Sequence, residues 1–190
     1  MPPSIVVIGT SLGGTAALQV VMTGLPKGFP VPVVVVQHRH SDGEDGLTDV
    51  LAACTVLPVE EPNDKQALCA GRVYVAPAAY HLLVEPDCLS LSTEAPVNSC
   101  RPSVDVLFDS AADSHGSGVV AVVLTGAGTD GATGAVRVKS CGGVLVVQEP
   151  STAHARGMPD AALSVAPADH VLPLESIAPL LVRLFPAVAE

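Results

Sequence analysis

The chain has 190 residues, 48% of them hydrophobic, which suffices to bury about 70% of the extended-chain surface in a single domain. Nineteen acidic against nine basic residues give a net charge of −10 with no basic run, so a nucleic-acid partner is disfavoured. The apolar runs are far shorter than the about 20 residues that span a bilayer, which disfavours membrane insertion. The chain starts without a basic segment, which disfavours secretion. Its five cysteines include no C-x-x-C pair, which disfavours a disulfide framework and a zinc cluster.

Short β-branched runs alternate with helical patterns along the chain. Unbroken apolar runs are typical of strands buried on both faces, as in a parallel sheet covered by helices. The predicted strands are Ile5–Ile8, Val33–Gln37, Val73–Ala76, Val119–Leu124 and Val144–Gln148. The pattern therefore predicts the α/β class, with a doubly wound, mainly parallel sheet and helices on both faces.

Three further segments complete the predicted organisation. The proline-punctuated stretch from about Thr55 to Ser92 predicts a small β-ribbon insertion at one edge. Pro102 and Ser103 mark a helix entry, with Ser103 as its cap and Asp105 in its first turn, and this helix runs to about His115. A last amphipathic helix covers Leu174–Phe185. We expect residues 1–190 to form one cytoplasmic domain whose free thiols are mostly buried.

The first predicted strand ends in a glycine-rich turn that contains a serine. Gly9-Thr10-Ser11-Leu12-Gly13-Gly14 follows this strand and precedes the helical pattern Thr15–Met22, the strand–turn–helix context of a G-x-S-x-G nucleophile. Small residues allow the sharp turn, and backbone N–H groups at the helix start can face an oxyanion. The same type of turn also binds phosphate or only reverses the chain. The motif alone therefore leaves a nucleophilic role for Ser11 as one of several interpretations.

A serine nucleophile needs a base and an acid, and ligands of open α/β sheets collect at the carboxyl ends of strands. His38 directly follows the second strand and is the best base candidate, whereas His170 falls in a loop-like segment. Asp130 is the carboxylate in the glycine-rich turn after Val119–Leu124. Asp105 and Asp109 are rivals on a predicted helix, where solvated or capping roles are commoner. The order Ser11, His38, Asp130 differs from the serine, acid, histidine order of α/β-hydrolases.

Several segments, taken together and in order, resemble the catalytic domain of the chemotaxis methylesterase family, CheB. The segments are Ile8-Gly9-Thr10-Ser11-Leu12-Gly13-Gly14, Gln37-His38, Arg101-Pro102-Ser103-Val104-Asp105-Val106-Leu107-Phe108, Leu124-Thr125-Gly126-Ala127-Gly128-Thr129-Asp130-Gly131-Ala132 and Gly157-Met158-Pro159. The resemblance implies hydrolysis of glutamate methyl esters on chemoreceptor signalling helices, with methanol released, and in many members deamidation of glutamines. It also implies Ser11, His38 and Asp130 as the catalytic residues, and neither a metal nor a cofactor.

The chain departs from the family pattern at two positions of the expected oxyanion hole and substrate cleft. Leu12 replaces the usual threonine beside the nucleophile, and Ala127 replaces the usual methionine. Backbone groups of Leu12, Gly13, Ala127 and Gly128 remain the expected oxyanion and cleft elements. Family members also commonly carry an N-terminal receiver domain, whereas this sequence starts with the first catalytic strand. We expect a stand-alone catalytic domain, with an excised domain as the alternative and a separate regulator as one candidate partner.

Three other interpretations remain. Gly126-x-Gly128-x-x-Gly131 is a literal dinucleotide fingerprint, although Asp130 in the turn would repel a pyrophosphate. The segment from His38 to Asp45, with His40, Asp42 and Glu44, could hold zinc, although an exposed acidic loop explains the same residues more simply. Finally, Leu12 and Ala127 would suit a catalytically silent receptor-binding module of the same fold.

Overall fold

The structure is a computed structural model that describes residues 4–39 and 46–186. No helix within these two ranges has the length and apolar character needed to cross a membrane. The strands are β1 Ile5–Thr10, β2 Val33–Gln37, β3 Val59–Glu60, β4 Gln66–Ala67, β5 Val73–Val75, β6 His81–Val84, β7 Cys88–Ser92, β8 Val119–Val123, β9 Val144–Gln148 and β10 His170–Leu172. The helices are α1 Gly14–Thr23, α2 Leu47–Ala52, α3 Val104–His115, α4 Ala132–Ser140, α5 Gly157–Val165 and α6 Leu174–Leu184.

The main sheet has the strand order β10-β9-β8-β1-β2-β5-β3, and all its pairings are parallel. This confirms the predicted α/β class and the five predicted strands. β1 lies at the centre between β2 and β8, with Gly9 opposite both Val36 and Val123. The carboxyl ends of these three strands therefore meet at one edge, where ligands of parallel sheets bind.

Both faces of the sheet are covered, which explains why its strands lack hydrophobic alternation. On one face, Val6 and Ile8 pack in a core with residues of α1, α2 and α6. On the other face, Ile5 and Val7 pack with residues of α3, α4 and α5. The predicted helices at Ser103–His115 and Leu174–Phe185 are confirmed as α3 and α6.

The segment from 55 to 92 divides between two sheets. β4, β7 and β6 form a small antiparallel sheet, as the predicted β-ribbon insertion requires. Leu82, Val84 and Leu89 of this small sheet pack into the same core as α3. β3 and β5, from the same segment, extend the main sheet beyond β2.

Two expectations are wrong at the periphery. His170 is not in a loop but begins the edge strand β10, whose three residues are too few to show a periodic pattern. The five free cysteines are not mostly buried, since Cys69 is exposed and the other four are half-buried. Cys54 and Cys141 follow helix ends and Cys100 lies in a loop, so their positions in the fold outweigh the usual preference of the thiol for the core.

Asp169 precedes β10 and links it to α4 and β9. We expect its replacement to lower the free energy of unfolding by an amount that depends on pH. Its carboxylate accepts hydrogen bonds from Lys139 Nζ at 2.7 Å and from the Leu145 backbone N–H at 2.7 Å. Burial raises the pKa of Asp169, but these two donors outweigh it and the pKa is lowered. The carboxylate therefore stabilises the fold above its unfolded pKa of about 3.9, and this contribution is lost as pH falls through the lower folded value.

Asp169→Asn is accordingly expected to lower the free energy of unfolding by up to about 1 kcal/mol near neutral pH, since solvent screens a side chain that is 36% exposed. Urea denaturation at about pH 7 and about pH 3 measures the effect, which shrinks at the lower pH. Asp87→Asn, the same change at an exposed carboxylate, is the matched control. A cost that is equal at both pH values would contradict the assignment.

Candidate active site

Ser11 occupies an abrupt turn between the central strand and a helix. β1 ends at Thr10 and α1 begins at Gly14, so three residues reverse the chain. Gly13 has a φ of 80°, in the left-handed region, and a Cβ there would lie 2.6 Å from Cβ of His154. Only glycine suits this backbone and this close approach. The turn places Ser11 in the wall of a cleft at the carboxyl edge of the sheet.

Hydrogen bonds to the neighbouring strand ends fix the serine turn. The carbonyl oxygen of Thr125 accepts bonds from the buried Thr10 hydroxyl at 2.7 Å and from Ser11 N–H at 3.0 Å. Gln37 Nε2 donates to the carbonyl oxygens of Ser11 at 2.8 Å and His38 at 3.0 Å. The role of Gln37 is not evident from the sequence, although a polar residue at the end of the apolar run Val33–Val36 is a signal of it. The side-chain amide of Gln37 therefore links the backbones of Ser11 and His38.

His38 and Asp130 come together as a hydrogen-bonded pair. His38 Nε2 lies 2.7 Å from Oδ2 of Asp130, and the side chains are 16% and 3% exposed. Because a carboxylate only accepts, the neutral imidazole carries its proton on Nε2 and leaves the Nδ1 lone pair available. Within the two described ranges, no group accepts a hydrogen bond from the Ser11 hydroxyl. Ser11 and His38 line the same cleft.

Asp130 is the most heavily hydrogen-bonded carboxylate of the site. Besides His38, it accepts bonds from the N–H groups of Val104 at 2.7 Å and Asp105 at 3.1 Å, the Ser103 hydroxyl at 2.8 Å and Asn98 Nδ2 at 3.2 Å. Burial raises the pKa of Asp130, but the donors more than offset it and the pKa falls below its ordinary value. Two of these donors are N–H groups at the start of α3, whose dipole also favours a negative charge. Asp130 therefore remains ionised beside His38.

Asp105, in the first turn of α3, caps the start of α4. Its Oδ1 accepts hydrogen bonds from Gly131 N–H at 2.9 Å and Gly134 N–H at 2.7 Å, at the start of α4. Burial first, and then the charge of Asp130, raise the pKa of Asp105 despite these donors. The expected roles shift accordingly: Ser103 does not cap its own helix but donates to Asp130, and Asp105 caps α4. Asp130, just before α4, thus caps α3, and Asp105 of α3 caps α4.

Cys100 is a neighbour of His38 that sequence reasoning did not assign to the site. Its Sγ lies 3.6 Å from His38 Nδ1, on the opposite side of the ring from Asp130. Burial, and then the charge of Asp130, raise the pKa of the Cys100 thiol. The thiol therefore stays protonated near neutral pH, and its single proton is within reach of both His38 Nδ1 at 3.6 Å and the Asn98 carbonyl oxygen at 3.4 Å. This disfavours Cys100 as the nucleophile.

The cleft around Ser11 and His38 has a volume of about 890 Å³. It is lined by Ser11, Leu12, Gly13, Gly14, Thr15, Ala16, Gln37, His38, Arg39, Ala79, Pro96, Ser99, Cys100, Arg101 and Pro102. The first residues of α1 are part of this wall, so the positive end of a ten-residue helix faces the cleft. Leu12 is 56% exposed at the rim, whereas Ala127 and Gly128 lie on the exposed β8–α4 turn outside the lining.

The structure bears on one of the two alternative sites, the dinucleotide fingerprint, and does not describe the other, the zinc segment. The Gly126-x-Gly128-x-x-Gly131 turn does precede α4, but the Gly131 and Gly134 N–H groups that would bind a pyrophosphate already donate to Asp105. A second anion there would be repelled, which disfavours dinucleotide binding. The zinc interpretation of the segment around His40, Asp42 and Glu44 lies outside the described residues.

Comparisons with known proteins agree on one family. The sequence family described as CheB methylesterase matches residues 6–181. A Leptospira interrogans protein, provisionally named a protein-glutamate methylesterase/protein-glutamine glutaminase, is 42% identical over 94% of this chain and 93% of its own length. An Anaeromyxobacter dehalogenans protein named protein-glutamate methylesterase/protein-glutamine glutaminase 2 is 43% identical, over 91% of this chain and 51% of its own. The crystal structure of the Thermotoga maritima CheB methylesterase catalytic domain, 37% identical, superposes with a TM-score of 0.93 over 97% of this chain.

Proposed function

The chain belongs to the CheB methylesterase family, and we propose that it hydrolyses glutamate methyl esters of proteins with Ser11 as nucleophile, His38 as base and Asp130 as the orienting acid. The observation that carries this proposal is the His38–Asp130 pair at 2.7 Å, because its histidine lines the same cleft as Ser11. Gln37 Nε2 donates to the carbonyl oxygens of both Ser11 and His38, and the Thr10 hydroxyl ties the serine turn to the Thr125 carbonyl oxygen. This arrangement provides the parts that a serine hydrolase requires.

In the first half of the reaction, Ser11 Oγ attacks the ester carbonyl carbon and His38 Nδ1 accepts the hydroxyl proton. The tetrahedral intermediate collapses as its methoxy oxygen takes that proton and leaves as methanol. The glutamyl group is then an ester of Ser11. In the second half, His38 Nδ1 takes a proton from water, hydroxide attacks the acyl carbon, and the proton returns to Ser11 Oγ. Ionised Asp130 stabilises the imidazolium that forms in each half.

The backbone around Ser11 supplies electrostatic stabilisation of the oxyanion. The N–H groups of Leu12 and Gly13 lie at the start of α1 beside the nucleophile, where the helix dipole favours negative charge. Ala127 and Gly128, on the exposed β8–α4 turn outside the cleft lining, remain proposed as further backbone donors once substrate is bound.

The same acyl-enzyme serves a second activity, deamidation of protein glutamine. Attack of Ser11 on the side-chain amide releases ammonia in place of methanol, with the His38 proton transferred to the leaving nitrogen. The relative from Anaeromyxobacter dehalogenans carries both activities in its name.

The proposed partners are the methylated signalling helices of chemoreceptors or of a similar signalling protein, with a separate protein as regulator. The proposed substrate side chain is short, so a helix must approach the rim where Leu12 is exposed. We place this reaction in the cytoplasm and treat residues 1–190 as one catalytic domain.

Methanol release from methylated chemoreceptor fragments tests the function directly. The purified chain should release methanol in proportion to the ester lost from glutamate, and ammonia from fragments with unmodified glutamine. Binding of the fragment without release of either product would contradict an enzymatic role and favour the silent receptor-binding module. Release that persists at the same rate in an Asp130→Asn variant would contradict the assigned residues but not the activity.

Gly126→Ala should damage the fold and the nucleophile together. A Cβ at Gly126 would lie 2.1 Å from Met158 Sδ and 2.9 Å from Ser11 Cβ, so both side chains must move. We expect the free energy of unfolding to fall by about 1–3 kcal/mol from overpacking. We also expect the rate of methanol release to fall by about 10²-fold, because the nucleophile is displaced.

Gly28→Ala is the matched control, because its Cβ meets nothing within 4 Å and only its φ of 74° is unfavourable. Urea denaturation and methanol release per folded molecule measure both effects. An activity loss in Gly126→Ala no larger than in Gly28→Ala would show that the contact with Ser11 does not matter.

A further inference from the structure

His38 and Cys100 are spaced like two ligands of one metal ion. Zinc bonds of about 2.3 Å to sulfur and about 2.0–2.1 Å to nitrogen, at a tetrahedral angle, place the two ligand atoms about 3.6 Å apart. The distance between Cys100 Sγ and His38 Nδ1 is 3.6 Å. An ion can therefore enter between these two atoms without a large movement of either side chain.

The other side of the imidazole is already arranged as it is in metal sites. A metal-bound histidine usually donates its second ring N–H to a carboxylate, which fixes the tautomer and strengthens the ligand. His38 Nε2 donates to Asp130 Oδ2 at 2.7 Å, so the free lone pair is on Nδ1 and faces Cys100. The hydrogen bond that prepares His38 as a base also prepares it as a ligand.

Asp130 belongs to this cluster as the partner of the histidine rather than as a third ligand. Ligand atoms of His38, Cys100 and Asp130 lie within 4.8 Å of one another. The Asp130 oxygens, however, already accept four hydrogen bonds besides the one from His38, from the donors of Val104, Asp105, Ser103 and Asn98. With five donors in all, the buried carboxylate has no further capacity for a cation.

The remaining coordination positions open into the cleft. His38 and Cys100 both line it together with Ser11, so water can complete a tetrahedral zinc ion. An ion on Nδ1 occupies the lone pair that must take the proton of Ser11. A bound ion therefore prevents catalysis rather than supporting it.

We propose that Zn²⁺ binds reversibly between Cys100 Sγ and His38 Nδ1 and inhibits the hydrolase. On binding, the Cys100 thiol releases its proton to solvent, and the thiolate and the neutral imidazole each donate an electron pair to the ion. The inhibition rests on the proposed function, whereas the binding does not. The proposed zinc is an inhibitor, so a chelator does not lower the activity of the metal-free enzyme.

Zinc titration of methanol release tests the inhibition, with each variant normalised to its own zinc-free rate. Cys100→Ala is expected to need at least about 10-fold more zinc for half-inhibition, because it loses one of two protein ligands. Cys69→Ala removes an exposed thiol outside the cleft and is expected to match the unchanged chain. Addition of a chelator should restore the rate. Equal zinc sensitivity of Cys100→Ala and the unchanged chain would overturn the proposal.

Cobalt binding tests the site without using activity. Co²⁺ with a thiolate ligand gives a sulfur-to-metal charge-transfer absorption, which we expect in the unchanged chain and in Cys69→Ala but not in Cys100→Ala or Cys100→Ser. This absorption in a chain that releases no methanol would support the metal site while the proposed function fails. Its absence from the unchanged chain at saturating Co²⁺ would overturn the metal site while leaving the proposed function intact.

Discussion

Ser11→Ala is expected to lower the rate of methanol release by about 10⁴-fold or more. The substitution removes the atom that attacks the ester, and the remaining oxyanion donors and binding contacts cannot replace it. The free energy of unfolding should change by less than about 0.5 kcal/mol, because within the described ranges the hydroxyl makes no hydrogen bond. Single-turnover methanol release and urea denaturation measure the two effects.

Ser99→Ala is the matched control for this prediction. Ser99 lines the same cleft, and the change removes the same hydroxyl group. Its rate should stay within a few-fold of that of the unchanged chain. Comparable losses in the two variants would indicate a general disturbance of the cleft, and a fully active Ser11→Ala would exclude Ser11 as the nucleophile.

Asp130→Asn is expected to lower kcat by about 10³–10⁴-fold and leave KM nearly unchanged. The amide no longer stabilises the His38 imidazolium, and an amide that donates to Nε2 would place the imidazole proton on Nδ1, where it cannot act as a base. Asp130 does not line the cleft, so substrate binding should not depend on it. The kcat and KM values for methanol release separate this effect from a loss of binding.

The same substitution should also weaken the fold. The carboxylate is 3% exposed and accepts bonds from α3 that one amide oxygen cannot replace. We expect a loss of about 2–4 kcal/mol in the free energy of unfolding, so rates must be measured where the variant is folded. Asp113→Asn, at an exposed carboxylate paired with Arg137, is the control and should cost less than about 0.5 kcal/mol. An unchanged kcat in folded Asp130→Asn would remove Asp130 from the mechanism.

The sheet could be predicted from the sequence because its strands are long apolar runs. Val33–Gln37 and Val119–Val123 are buried throughout, and such runs are distinctive without any structure. β3 and β10 have only two and three residues, and their place at the sheet edges depends on contacts that no local pattern records. Tertiary packing decides such short elements.

The candidate site was predictable where it depends on strand ends and not where it depends on loops. Ser11, His38 and Asp130 each follow a predicted strand, so the parallel topology brings them to one edge. Cys100 follows no strand and approaches His38 only because the loop before α3 folds over the cleft. The role of Asp105 as a cap of α4 was equally hidden, because its partners Gly131 and Gly134 are distant in sequence.

The exchange of carboxylates between α3 and α4 constrains how this enzyme can diversify. Replacement of Asp130 removes the hydrogen-bond acceptor of the N–H groups at the start of α3. Replacement of Asp105 does the same at the start of α4. Leu12 lies at the exposed rim and has no such obligation. Selection can therefore vary the rim to suit new substrates, while the acid is inherited with the scaffold as one unit.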